Sequence, residues 1–304
     1  MEHSSAGGAV RHAGWRAATY NGALCSVFAP DAMPIDAMIV VQLALLGLVS
    51  GFMAGLLGIG GGMILVPFMT AFAVSAGVEP ELALKVAIAT SMTVIVFTSM
   101  SSVRAHHKRG AVRWPIVARL APGIVLGAMA ASLGVAALLR GAVLYFIFAV
   151  FVGFSATQMI LNRRPSPSRQ LPGALGLTGT GAGIGFLSGL VGAGGGFISV
   201  PFLVWCNVPV HNAVATSAAL GFPIALANAA GFIISGQGIA GRPPYSWGLI
   251  WLPALAAVAA CSVLTAPLGV RAAHALPVAQ LKRVFALILY VLAFYMLRKG
   301  LALV

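Results

Sequence analysis

Long uninterrupted apolar stretches, separated by short polar connections, follow one another along the chain after residue 37. Most of them contain the roughly 20 residues that a helix needs to cross about 30 Å of hydrocarbon. Segments of about ten residues with alternating polarity, which are typical of membrane β-barrels, are absent from the sequence. The pattern predicts an all-α integral membrane protein, a polytopic helical bundle of about 8–10 membrane segments. The apolar runs fall near residues 38–57, 63–76, 86–103, 114–139, 141–161, 173–193, 197–209, 213–235, 247–270 and 284–303.

The composition favours burial in lipid over burial in water. Hydrophobic residues make up 60% of the chain and charged residues only 8%, whereas soluble domains carry roughly 25% charged residues. The 18 Lys and Arg outnumber the 5 Asp and Glu, but the basic residues lie mostly in short connections, as the positive-inside rule expects. We therefore expect the lipid bilayer as a partner and no nucleic acid.

The chain contains an internal duplication. Residues 51–68 (GFMAGLLGIGGGMILVPF) align without a gap with residues 185–202 (GFLSGLVGAGGGFISVPF), and 12 of the 18 positions are identical. Downstream, the sequence A-x-A-T-S recurs at residues 87–91 and 213–217. Chance similarity between apolar segments does not reproduce three glycines, Val-Pro-Phe and a second motif in the same order. The duplication predicts two membrane repeats.

The N-terminal segment differs from the rest because it carries scattered charges and no uninterrupted apolar core. We expect a disordered tail there, or an upstream extension if translation begins at Met33 or Met38. The predicted organisation is an N-terminal tail at 1–36, membrane repeat 1 at 37–162, a cytoplasmic linker at 163–172 and membrane repeat 2 at 173–304.

The distribution of basic residues predicts that the two repeats have opposite orientations. The connection after the third apolar run holds four Lys and Arg within residues 104–113, whereas its counterpart in the second half holds only Arg242. The next connection reverses this bias, with Arg140 alone in the first half and three basic residues within 271–283 in the second. Since basic connections face the cytoplasm, we expect inverted repeats with the N-terminus outside.

Three consecutive glycines precede a short apolar run with an early proline in each repeat. Each glycine costs about 1 kcal/mol relative to alanine inside a helix, so we expect a break followed by a half-helix whose positive end points at the break. Short interrupted segments at matching positions of two halves indicate a transporter's binding site. Close helix packing through small residues, or a tight hairpin turn, is the alternative.

A Thr-Ser pair follows in both halves and places hydroxyl groups at the start of an apolar run. Such hydroxyls either contact a ligand, or bond carbonyl groups of their own helix or cap its first turn. Asn228, which corresponds to Ser102, needs a partner inside its apolar run. Lys85 and His211 either reach the membrane interface or attract anions. The candidate substrate-binding residues are Gly58, Gly60, Gly61, Gly62, Thr90, Ser91, Gly192, Gly194, Gly195, Gly196, Thr216 and Ser217.

The acidic residues indicate the charge of the substrate. All five, Glu2, Asp31, Asp36, Glu79 and Glu81, lie outside the apolar runs, whereas carriers of cations and protons generally place a carboxylate inside the bilayer. Backbone amides, hydroxyls and nearby bases suit an anion instead. Enzyme motifs such as HExxH and GxSxG are absent, so we expect no enzymatic activity, catalytic residue, metal site or cofactor.

The repeated motif GhhxGhhGhGGGhhhVPhh, with h for a hydrophobic residue, and the A-x-A-T-S that follows it resemble the sulfite exporter TauE/SafE family over about residues 38–303. The resemblance implies membrane export or passage of sulfur-containing anions such as sulfite, sulfoacetate and other organosulfonates. The positions that match the family motif are Gly58, Gly60–Gly62, Pro67, Thr90, Ser91, Gly192, Gly194–Gly196, Pro201, Thr216 and Ser217.

These inferences favour a secondary transporter or exporter of a small anion, with multiple passes through the cytoplasmic (inner) membrane of the cell. The alternative is a non-transporting membrane scaffold or accessory subunit of a metabolic complex. A scaffold has no need of two equivalent glycine breaks and would carry larger soluble loops, whereas the connections here are short. The expected partners are a small anionic substrate and the lipid bilayer, and a homo-oligomer is compatible with either function.

Overall fold

A computed structural model describes residues 37–58, 61–161, 169–275 and 278–303. The predicted N-terminal tail and most of the predicted linker lie outside these residues. The described chain is helical, with one short β-ribbon between its eighth and ninth helices. The helices are α1 (Ala37–Leu57), α2 (Gly62–Ser75), α3 (Pro80–His107), α4 (Trp114–Leu138), α5 (Gly141–Leu161), α6 (Ala174–Val191), α7 (Gly196–Trp205), α8 (Val210–Ser235), α9 (Leu252–Ala275) and α10 (Val278–Leu301), and the antiparallel strands are β1 (Ser246–Trp247) and β2 (Ile250–Trp251).

Within the described ranges, eight helices are long and apolar enough to cross a membrane. The other two, α2 and α7, have 14 and 10 residues, so at 1.5 Å per residue they span about 21 and 15 Å. Large apolar side chains cover the outside of the bundle: Leu126, Val150 and Leu264 are 68%, 70% and 72% exposed. The prediction of an all-α polytopic membrane protein is confirmed, and each predicted apolar run corresponds to one helix.

Glycines allow two pairs of helices to pack closely, α1 with α9 and α4 with α6. On α1, a Cβ atom at Gly47 would lie 2.6 Å from the carbonyl oxygen of Val258, and Cβ atoms at Gly51 and Gly55 would collide with carbonyl oxygens further along α9. Small residues four positions apart are the usual means of close approach between membrane helices. In the second pair, the equivalent close contacts involve Gly123, Gly127, Gly181 and Gly185.

Helices α3 and α8, which carry the two Thr-Ser pairs, form the centre of the bundle. In their most apolar 18-residue segments 72% and 67% of residues are buried, against 39–50% in the other spans. The two helices pack against each other, and the hydrogen bonds at their ends show that they run in opposite directions. The segment after the end of α3 bonds Thr216 near the start of α8, and the segment after the end of α8 bonds Thr90 in α3.

Candidate functional site

The predicted helix break is present in both repeats, with the same backbone geometry. Gly58 and Gly61 have φ angles of 68° and 72°, and Gly192 and Gly195 have φ angles of 71° and 76°. Residues with a side chain pay about 1–2 kcal/mol in this left-handed region, which explains the glycines at these four positions. Gly60 lies outside the described residues.

After each break the chain folds back, so that the short helix begins beside the helix that precedes it. A Cβ atom at Gly61 would lie 2.6 Å from the carbonyl oxygen of Ser50, and one at Gly195 would lie 3.3 Å from Cγ2 of Ile184. Ser50 and Ile184 hold equivalent positions in the duplication. Helices α2 and α7 therefore begin inside the bundle, at buried Gly62 and Gly196.

The two breaks lie against each other and against the central helices. A Cβ atom at Gly62 would collide with the carbonyl oxygen of Gly192. Gly58 packs on α8, where its Cβ would lie 2.7 Å from the oxygen of Val214, and Gly192 packs on α3, 3.4 Å from Cα of Ile88. Each break thus contacts the central helix of the other repeat. The first-turn amides of a helix have no acceptor within it, so the start of α2 places hydrogen-bond donors beside the second break.

A network of buried hydroxyl groups links the second Thr-Ser pair to both breaks. The Ser217 hydroxyl donates to the carbonyl oxygen of Gly58 at 3.2 Å and lies 2.7 Å from Oγ of Ser199. The Ser199 hydroxyl donates to the carbonyl oxygen of Gly195 at 3.0 Å. The hydroxyl groups of Ser199 and Ser217 have two hydrogens between them, and these are shared among the three short contacts. Ser199 was not among the predicted site residues, although it is a polar residue inside a short apolar helix.

Among the residues that the structure describes, the first repeat lacks this network. Ser91, the counterpart of Ser217, is fully buried, and its hydroxyl has no hydrogen-bond partner among the described residues. Leu65 stands at the position that corresponds to Ser199, so a potential partner is missing. The two candidate serines thus have different surroundings in spite of the duplication.

Thr90 and Thr216 hold connecting segments in place. The backbone N–H of Trp251 donates to Oγ1 of Thr90 at 3.0 Å, and that of Arg113 donates to Oγ1 of Thr216 at 3.1 Å. The expectation that both pairs stand at a helix start was wrong. Thr90 is the eleventh residue of α3, which begins at Pro80, and Thr216 is the seventh residue of α8, which begins at Val210. Neither threonine caps its helix.

The tethering role predicts a loss of stability in the variant Thr216→Val. Valine has a similar shape but leaves the amide of Arg113 without its acceptor, which should cost about 1–3 kcal/mol in the free energy of unfolding. The midpoint of thermal unfolding in detergent measures this. Thr216→Ser should keep most of the stability, and Thr93→Val, which removes only a bond to a carbonyl group of its own helix, should change it little. Equal losses in Thr93→Val and Thr216→Val would contradict the tether.

Comparisons with known proteins agree with a membrane transporter. A family model described as sulfite exporter TauE/SafE matches residues 43–296, a range that includes both breaks. A probable membrane transporter protein of Haemophilus influenzae is 37% identical over 257 residues, covering 84% of this chain and 97% of that protein. A probable membrane transporter protein of Methanocaldococcus jannaschii is 27% identical over 258 residues, covering 84% of this chain and 94% of its own. No solved structure matches the chain.

Proposed function

Since the chain belongs to the sulfite exporter TauE/SafE family and is a multi-pass membrane transporter, we propose that it moves a small sulfur-containing anion, such as sulfite or an organosulfonate, across the cytoplasmic (inner) membrane. The contact between the two glycine breaks carries this proposal. The start of α2 touches the break that precedes α7, and the N-terminus of a helix carries roughly +0.5 charge. Two such ends inside the bundle together offset about one negative charge.

The positions of the carboxylates support an anion over a cation. In the parts of the chain that the structure describes, the acidic residues are Glu79 and Glu81, and both lie at the N-terminal end of α3. No group of three or more His, Cys, Asp or Glu side chains among the described residues could hold a metal ion. A cation at the breaks would meet amide donors without a carboxylate, whereas an oxyanion would accept their hydrogen bonds.

Counterflow of radiolabelled sulfite into liposomes that contain the purified protein tests the proposed function. We expect labelled sulfite to enter liposomes that are preloaded with unlabelled sulfite. An organosulfonate should inhibit this uptake, whereas potassium and ammonium ions should not. Saturable movement of a cation, with no response to sulfur oxyanions or carboxylates, would overturn the proposal. Folded protein that moves no tested solute would favour the scaffold function.

We also propose that the repeats are inverted and that the N-terminus faces outward. The opposite directions of α3 and α8, and the exchanged bonds at Thr90 and Thr216, support this arrangement. The reversed bias of basic residues between matching connections supports the proposed orientation.

Cysteine labelling from one side of the membrane is expected to separate the connections into two groups. Lys108→Cys and Gln170→Cys should react from the cytoplasmic side and Ala240→Cys from the outside; all three positions are exposed. Ala240 is a better probe than Arg242, whose guanidinium donates to two carbonyl groups of its own loop at 2.7 and 3.1 Å. Labelling of Lys108→Cys and Ala240→Cys from the same side would contradict the inversion.

The native cysteines can also react with the label and so contribute background labelling in this experiment. Cys25 and Cys261 are replaced by alanine, whereas Cys206 can be kept. Burial raises the pKa of the Cys206 thiol, and nearby Arg169 opposes this only in part. Since the thiolate is the reactive form, and the side chain is only 3% exposed, Cys206 should react slowly at neutral pH.

A further inference from the structure

A small cavity lies beside the first break, between α1, α3 and α8. Its volume is about 10 Å³, close to the minimum that holds one water molecule. One of its lining residues, Gly221, connects it to the second break, because a Cβ atom there would lie 3.6 Å from the carbonyl oxygen of Gly194. The cavity is lined by Ala54, Gly58, Thr98, Ser99, Ser102 and Ala218 in addition to Gly221.

Ser102 supplies a hydrogen-bond donor that the protein leaves unused. Its side chain is 2% exposed, and its hydroxyl has no hydrogen-bond partner among the described residues. The other two hydroxyls of the cavity are occupied: Thr98 bonds a carbonyl oxygen of α3 at 3.0 Å and the hydroxyl of Ser262 at 2.8 Å, and Ser99 donates to the carbonyl oxygen of Val96 at 3.0 Å. A buried hydroxyl normally finds a partner, and the hydroxyl of Ser102 belongs to a residue that lines a cavity, which indicates a ligand there.

Larger side chains occupy the positions beside the second break that match Ala218, Gly221 and Thr98 of the cavity lining. Gly221 and Ala218 correspond to Ile95 and Met92, which are fully buried. Thr98 corresponds to Ile224, whose Cδ1 would lie 2.5 Å from a Cβ atom at Gly195 and so lies against the second break. The surroundings of the two breaks therefore differ: small residues line the cavity beside the first break, and Met92 and Ile95 stand at the matching positions beside the second.

We propose that this cavity receives an oxygen atom of the transported oxyanion and that Ser102 donates a hydrogen bond to it, so that the chain has one anion site on the side of the first break. The inference rests on the proposed function and assigns its binding site. A cavity of about 10 Å³ holds about one water-sized group, so the site accepts one oxygen atom in this conformation and widens for the whole ion.

Two variants test the site through the dissociation constant of radiolabelled sulfite for purified protein. Ser102→Ala removes the donor, and loss of a hydrogen bond to a charged group should raise the constant about 10- to 100-fold. Gly221→Ala fills the cavity, while the new methyl group would meet Ser99 Cβ and the Gly194 oxygen at 3.6 Å, an ordinary contact. We expect it to weaken binding by at least about tenfold with the midpoint of thermal unfolding retained.

Matched controls lie away from the breaks. Ser155→Ala in α5 removes a buried hydroxyl that donates to the carbonyl oxygen of Phe151 in its own helix, and Gly183→Ala in α6 adds a methyl group where no described atom lies within 4 Å. Both should bind sulfite like the unmodified protein. Unchanged binding in Ser102→Ala and Gly221→Ala would overturn the site alone, as would equal weakening in Ser155→Ala. If the unmodified protein binds neither sulfite nor an organosulfonate, the proposed function fails as well.

Discussion

The variant Gly62→Ala is expected to lose anion transport, because it forces apart the two glycine breaks. The φ angle of Gly62 does not require glycine, so the backbone accepts alanine. The added Cβ atom, however, would collide with the carbonyl oxygen of Gly192 and would lie 3.0 Å from Cδ1 of Ile95. Moving the start of α2 away separates the amide donors of its first turn from the second break. The initial rate of sulfite counterflow should fall at least about tenfold, a change of about 1.4 kcal/mol.

The control for Gly62→Ala is Gly183→Ala, the same substitution at an exposed helical position where no described atom lies within 4 Å. Its counterflow rate should equal that of the unmodified protein. Protein amounts in the liposomes are matched after size-exclusion chromatography, so that a failure to fold is not counted as a loss of transport. Normal transport by folded Gly62→Ala would show that contact between the breaks is not needed for passage.

The variant Gly185→Ala is expected to destabilise the bundle strongly. A Cβ atom at this position would collide with the carbonyl oxygen of Ile124 and would lie 3.0 Å from the amide nitrogen of Ala128 on α4. These are backbone atoms, so α4 and α6 must separate, and overpacking of this kind typically costs about 1–3 kcal/mol. The midpoint of thermal unfolding in detergent should fall clearly.

Gly183→Ala again provides the comparison, two residues away on the same helix. Alanine is favoured over glycine inside a helix by about 1 kcal/mol, so this control should be unchanged or slightly more stable. Equal midpoints for Gly183→Ala and Gly185→Ala would contradict the close packing of α4 on α6.

The helices and their breaks could be predicted from the sequence because each depends on local properties. The length of an apolar run determines whether it can cross the membrane, and consecutive glycines interrupt a helix wherever they occur. The ends of helices were less predictable. Polar Glu81 and Lys85 shortened the third apolar run, yet the helix continues through them from Pro80.

The composition of the site depended on long-range packing and could be predicted only in part. The four left-handed glycines were identified, since their conformation leaves a trace in the sequence. The bond between Thr90 and the amide of Trp251, 161 positions apart, leaves none. The replacement of Ile95 in one repeat by Gly221 in the other is visible in the sequence, but only the fold shows that it opens a cavity beside Ser102.

Locating the bound anion tests most directly the central claim, that an anion binds at the glycine breaks. Crystals of the protein soaked with 2-bromoethanesulfonate would reveal the bromine through its anomalous scattering. We expect one bromine peak inside the bundle, between α3 and α8 and close to Gly58, Gly62 and Ser102. Crystals soaked with sodium bromide alone should lack this peak. A peak confined to the polar connections, or no peak at a concentration that saturates sulfite counterflow, would contradict an anion site at the glycine breaks.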